Sequence, residues 1–113
     1  MQVFIFALAV MAGDAVRGEH LYQQRCTACH SPDANRIGPM HRGVFGRKSA
    51  SVPGFAYSPA LKKLNVVWTE RTLDRWLGNP MAMAPGTAMG IRVTGAQDRT
   101  DLIAYLKTLK AEK

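Results

Sequence analysis

Cysteine is scarce in this chain of 113 residues: Cys26 and Cys29 are the only two. That is too few for a disulfide scaffold, and no second pair stands ready to complete a four-cysteine zinc site. Acidic residues are also few, 8 Asp and Glu against 15 Lys and Arg, for a net charge of +7. Such a balance favours an acidic protein face, nucleic acid or a membrane surface as partner. No basic cluster alternates with aromatic residues, which argues against nucleic acid. No phosphate-binding loop, general base or internal repeat is visible either, so nothing points to phosphoryl transfer or to a repeat array.

At this length the chain is one small domain. Its 47% hydrophobic and 20% charged residues are those of an ordinary globular protein, not of a disordered chain, collagen or a coiled coil. A domain of this size buries only about 60–70% of its unfolded surface. A core of side chains alone is then marginal, and something beyond the side chains is expected to fill it.

The two cysteines fall in Arg25-Cys26-Thr27-Ala28-Cys29-His30. Four chemistries use this spacing: a dithiol redox pair, half a zinc site, a structural disulfide, and the Cys-x-x-Cys-His pattern to which haem is joined by thioethers. A zinc ion would have to draw its other ligands from His20, His30 and His41, which lack finger spacing. A thioredoxin-like pair belongs between a strand and a helix, and no run of β-branched residues precedes Cys26. The haem reading accounts for the histidine as well. Two cysteines on one short turn reach the two vinyl carbons, and the adjacent His30 can place a ring nitrogen on the iron.

Iron held by one histidine needs a second axial ligand or keeps an open position. Met81, Met83 and Met89 are the candidates, in the stretch Gly78 to Met89. There Pro80, Pro85 and Gly86 forbid one continuous helix and predict a loop. Methionine elsewhere is mostly apolar filler.

Ala15, Gly18, Tyr22 and Cys26 recur at helical spacing behind Asp14 as N-cap, which predicts a first helix over 14–26. Gly18 inside it costs about 1 kcal/mol against Ala, so it is expected to serve a close crossing with another helix. Thr94-Gly95-Ala96-Gln97 reads as a capping box that opens a last helix, with Leu102, Ile103, Leu106 and Leu109 as its apolar stripe. Between them, Ser58-Pro59 starts a short helix. Thr69 caps another in which Leu73, Trp76 and Leu77 face inward before Gly78-Asn79-Pro80 stops it. Residues 1–12 are uncharged, mostly apolar and end in Val10-Met11-Ala12, the pattern of a secretory signal with a small-residue cleavage site. They are too few to span a bilayer. No Lys or Arg precedes Arg17, so the true start is expected upstream. The expected organisation is a cleaved signal-like segment over 1–12 and one domain over 13–113.

Several further motifs follow in order: Gly18 and Tyr22 ahead of Cys26-x-x-Cys29-His30, then Ile37-Gly38-Pro39, Gly43-Val44-Phe45-Gly46-Arg47-Lys48 and Pro53-Gly54-Phe55-Ala56-Tyr57-Ser58. Trp68, Asn79-Pro80, Pro85-Gly86-Thr87-Ala88-Met89 and Asp101-Leu102-Ile103-Ala104-Tyr105-Leu106 complete the series. With these motifs the chain, from Gly13 to Leu109, resembles the class I cytochromes c, in particular the small mitochondrial type and its bacterial periplasmic counterparts.

The resemblance implies an all-α fold, short helices and loops wrapped around one covalently bound haem c, with terminal helices crossing at Gly18 and Tyr105. It implies thioethers at Cys26 and Cys29, and His30 as proximal iron ligand with its other ring nitrogen donating to the carbonyl of Pro39. Met89 would be the distal ligand, braced by the Thr87 hydroxyl. Arg47, Tyr57 and Trp68 match positions that hydrogen-bond a haem propionate, where a buried carboxylate needs charge-assisted donors. Three departures stand out. Trp76 replaces a tyrosine whose hydroxyl usually lies near the methionine sulfur, and Leu61 replaces a buried asparagine near the haem. Met81, Ala82 and Ala88 occupy positions often held by lysines of the docking ring, of which Arg25, Arg36 and Arg92 keep part. Members of the family also commonly exchange the distal methionine for a lysine of the same loop at alkaline pH.

The function so implied is a soluble, monomeric one-electron carrier and not an enzyme. It would be exported to the bacterial periplasm and dock transiently on acidic faces of membrane redox complexes. Those complexes would be a quinol-oxidising cytochrome complex on one side and a terminal oxidase or photosynthetic reaction centre on the other. The alternatives are a haem peroxidase with an open distal iron and a gas-binding haem protein with a labile distal ligand. Met89 in its expected loop argues against the first.

Overall fold

The computed structural model describes residues 12–111, so the signal-like segment lies outside the described residues except for Ala12. Among the described residues are five helices: α1 Ala15–Arg25, α2 Pro59–Leu64, α3 Glu70–Gly78, α4 Pro80–Met83 and α5 Ala96–Thr108. Strand pairing among them is confined to one bridge between Lys48 and Val67. No described helix is long and apolar enough to cross a membrane.

The frame is the crossing of α1 and α5. Asp14 caps α1 as expected, its carboxylate accepting the amides of Val16 and Arg17 at 3.0 Å each and so satisfying donors that a helix start leaves open. Gly18, Leu21 and Tyr22 form the buried face of α1. It meets Asp101, Leu102, Ile103 and Leu106 on α5. The helices touch at Gly18, where a Cβ would lie 1.9 Å from the Asp101 carbonyl oxygen and 2.9 Å from Tyr105 Cβ.

Asp101, only 1% exposed, locks the crossing. Its carboxylate accepts from the Asp14 amide at 2.8 Å, Arg17 at 2.7 Å and Gln97 at 2.9 Å. Burial on its own raises such a carboxyl; these donors outweigh it and hold Asp101 below its ordinary pKa. The same network corrects one expectation. No capping box forms at Thr94, because the N-cap of α5 is Gly95, which has no side chain, and Gln97 is engaged by Asp101 instead.

The middle helices hold the cavity wall. Ser58 accepts the Leu61 amide at the start of α2, and Thr69 and Thr72 cap α3 reciprocally. Leu73, Trp76 and Leu77 point into the core, as their spacing predicts. The stretch after α3 differs from a plain loop. Asn79 accepts the Ala82 amide at 3.2 Å, and Pro80 sits at the first position, where its missing N–H costs nothing. One helical turn, α4, therefore precedes the Pro85-Gly86 turn, in which Gly86 takes a φ of +89°.

Candidate functional site

A cavity of about 340 Å³ opens between the end of α1, the Ile37–Ser58 segment, α3 and the chain from Thr87 to Val93. Its wall carries all nine residues singled out in the sequence: Cys26, Cys29, His30, Pro39, Arg47, Tyr57, Trp68, Thr87 and Met89. Met81 and Met83 are not among the lining residues; Met81 is 47% exposed, and Met83 packs on the outside of the core cluster.

The end of α1 sets the first side. Amides of Cys29 and His30 donate to the Cys26 carbonyl at 3.1 and 2.8 Å, and this tight turn carries both thiols and the imidazole to the cavity. Both thiols are free. Burial pushes the Cys26 thiol up to about 11, the opposite of the depressed value a dithiol redox pair needs. His30 Nδ1 lies 2.9 Å from the Pro39 carbonyl. That bond leaves Nε2 as the free ring nitrogen, the arrangement in which metal-bound histidines give their other ring proton to a carbonyl. Desolvation lowers the His30 pKa, favouring the neutral imidazole that a ligand must be. Gly38 makes room for the ring: a Cβ there would meet His30 Cε1 at 2.1 Å.

On the second side, the Thr87 amide donates to Ala84 at 3.0 Å, and the buried Thr87 hydroxyl oxygen accepts the Met89 amide at 3.4 Å. The hydroxyl thus braces the backbone of Met89, which is partly buried against the core.

At the polar end, Arg47 is half-buried and donates to the carbonyls of Arg42 at 3.1 Å and Met40 at 3.0 Å. Desolvation lowers its pKa, yet a guanidinium stays protonated. No carboxylate pairs with it among the described residues. Tyr57 accepts the Val52 amide at 3.0 Å, which leaves its own proton to give. Trp68, 6% exposed, has no acceptor for its indole N–H among the described residues. A half-buried cation with no carboxylate partner among the described residues and two spare donors on one cavity fit the carboxylates of a haem. The apolar wall from Leu61, Trp76 and Leu77 fits its macrocycle, and the departures at Trp76 and Leu61 make that wall less polar.

One participant escaped the sequence reading. His41, there only a weak zinc candidate, stacks on His30 with ring centroids 4.0 Å apart and planes 20° from parallel. Its Nδ1 lies 2.9 Å from the Tyr22 hydroxyl. Desolvation lowers the His41 pKa well below its ordinary value. No cluster of three metal-binding side chains occurs among the described residues, so the zinc reading finds no support there.

Comparison with known proteins bears on this arrangement. The family model described as Cytochrome c matches residues 15–110. Cytochrome c of Euglena viridis is 46% identical over 101 residues, which cover 87% of this chain and 99% of that protein. Cytochrome c2 of Rhodomicrobium vannielii is 45% identical, over 90% of this chain and 84% of its own. Among solved structures, cytochrome cH from Methylobacterium extorquens superposes with a TM-score of 0.81 at 40% identity, covering 85% of this chain and 99% of that one.

Proposed function

The chain belongs to the cytochrome c family, and from that premise we propose a diffusing carrier of the bacterial periplasm, loaded by a quinol-oxidising cytochrome complex and unloaded by a terminal oxidase or photosynthetic reaction centre. It is a class I cytochrome c with one covalently bound haem c, and its work is electron transport. When bound, the haem supplies a one-electron iron couple. The chain's own residues attach, ligate and shield it. Cys26 and Cys29 would form the thioethers, His30 and Met89 would hold the iron, and Arg47, Tyr57 and Trp68 would neutralise and bond a propionate.

One observation carries this reading. His30 and Met89 come from distant parts of the chain, yet both line the cavity that also holds the two thiols. An absorption spectrum of purified protein in both oxidation states tests it. A six-coordinate haem with a sulfur–iron charge-transfer band in the oxidised form is expected. A high-spin spectrum, or carbon monoxide binding to the reduced form without denaturant, would instead establish the peroxidase or gas-binding alternative. Met89→Ala should abolish the band while Met83→Ala leaves it intact; the reverse result assigns the ligand to Met83.

Docking is expected to rely on apolar contact as much as on charge. Ile37, Ala88 and Ile91 line the cavity and are also exposed, Ile37 at 76%, so they form its rim. Met81 and Ala82 are exposed nearby on α4. Lys62, Lys63, Arg71 and Arg75, four of the 15 positive residues, do not line the cavity. Of the arginines kept from the docking ring, Arg25 lies 3.6 Å from Asp98, Arg36 donates to Thr27 O at 2.5 Å and Arg92 to Gly78 O at 2.9 Å. Exposed charges act over only about 8–10 Å at physiological salt. Stopped-flow association with an acidic redox partner should therefore depend on ionic strength less steeply than a charge of +7 would give. A slope as steep as that of a complete lysine ring counts against the apolar rim.

A further inference from the structure

The proposed carrier uses one imidazole, but the structure places two against each other. His30 is restrained at its edge, where Nδ1 meets the Pro39 carbonyl at 2.9 Å. It is also restrained over a face. A Cβ built on Gly38 lies 2.1 Å from Cε1 and 2.5 Å from both Nδ1 and Nε2, distances that put it above the ring plane and not beyond its rim. A hydrogen bond to one atom still lets a ring rock about that bond. The His41 ring, stacked at 4.0 Å with planes 20° apart, removes this freedom.

His41 can act as a wall only if it is itself fixed, and its surroundings fix it. Its Nδ1 is 2.9 Å from the Tyr22 hydroxyl, and the Tyr22 ring meets it edge-on at 5.5 Å. Tyr22 is 2% exposed and also packs on Tyr105 at a centroid distance of 5.2 Å. Its side chain therefore belongs to the α1–α5 crossing. The His41 backbone is pinned too, its amide donating to Ser31 at 3.2 Å and its carbonyl accepting from Val44 at 2.8 Å. A continuous set of contacts runs from the helix crossing through Tyr22 and His41 to the face of His30.

We propose that His41 is a positioning residue for the iron ligand, setting the rotation of the His30 ring through stacking while Tyr22 holds His41 in place. This rests on His30 being the ligand. Orientation of an axial imidazole governs how its orbitals overlap those of the iron, and outer partners of metal-bound histidines tune the metal in this way. An apolar side chain could fill the same space, but it would not present a flat, anchored plane parallel to the ring.

The test uses the oxidised holoprotein and reads the hyperfine-shifted proton resonances of the His30 ring, together with the reduction potential and the thermal midpoint. His41→Leu should move the His30 resonances and shift the potential. His41→Phe keeps a flat ring and should restore both toward wild type, even if it melts earlier. Tyr22→Phe preserves volume and the aromatic contacts but frees His41, and it should shift the same resonances; it also covers the case in which the leucine variant fails to assemble. Variants that lower only the thermal midpoint, with resonances and potential unchanged, would overturn the inference. So would His41→Phe behaving like His41→Leu. If wild type shows no hyperfine-shifted histidine ring, the assignment of His30 as ligand fails, and this inference with it.

Discussion

Gly18→Val is expected to lower the thermal midpoint of the holoprotein by more than about 10 °C, while Gly78→Ala leaves it nearly unchanged. Both glycines lie in helices, and propensity alone rewards their replacement by alanine with up to about 1 kcal/mol. Their surroundings decide otherwise. A side chain at Gly18 would begin 1.9 Å from the Asp101 carbonyl oxygen, a backbone atom that cannot turn aside, so α1 and α5 must separate. Overpacking of this kind costs about 1–3 kcal/mol. Separation would also weaken the bonds that the Asp14 amide and Arg17 make across the crossing to the Asp101 carboxylate, leaving a buried charge short of partners. A loss near the top of that range, about 3 kcal/mol, moves the midpoint of a domain this size by more than about 10 °C. At Gly78 the nearest atom to a Cβ is Arg99 Nε at 3.7 Å, an ordinary contact with a flexible side chain. Thermal denaturation followed by the haem absorption separates the two variants; a Gly18→Val protein melting within a few degrees of wild type would show that the crossing is not so tight.

The same contrast explains which features could be read from the sequence. Gly18 was legible because a residue that costs its helix free energy calls for a reason outside the helix, and Asp101 and Tyr105 supply it. Asp14, Ser58 and Thr69 were legible because capping is settled within three residues of chain. The cysteine and histidine positions followed from the chemistry of one short turn. Gln97 was misread for the corresponding reason: a local box competed with a buried carboxylate one turn along α5, and the buried charge won. At Pro80 the breaker was read correctly as a stop for α3 and missed as the first residue of α4. His41 gave no sequence signal for a place beside His30. Its partners, Tyr22 and His30, lie in other segments, and only the folded chain brings three aromatic rings into register.

With Met89 as the proposed second iron ligand, the oxidised protein is expected to keep its sulfur–iron bond to higher pH than relatives with lysines in the ligand loop, or to lose it to hydroxide. The family resemblance implies that in those relatives a loop lysine displaces the methionine once its ammonium loses a proton. Here the nearby basic group is the wrong kind. From Leu77 to Asp98 the only one is Arg92, whose guanidinium stays protonated and cannot ligate a metal, and whose Nε is held by the Gly78 carbonyl at 2.9 Å. Lys110 and Lys113 follow α5 in the sequence, and the other four lysines stand on other elements: Lys62 and Lys63 in the last turn of α2, Lys48 on the bridge to Val67. Lys107 on α5 is paired with Glu70 and lies 5.0 Å over the Phe45 ring. Bringing any of these four to the iron requires a helix or the bridge to open, which costs far more than a loop rearrangement. Thr87 adds resistance, since its buried hydroxyl holds the Met89 amide. Titrating the sulfur–iron band from neutral to strongly alkaline pH, with magnetic resonance identifying the ligand that replaces the sulfur, decides the matter. A lysine-ligated species appearing near pH ~9, about a unit below the free lysine pKa, would contradict the expectation. Introducing a lysine at an exposed position of α4, by Ala82→Lys, should create that transition where the parent lacks it.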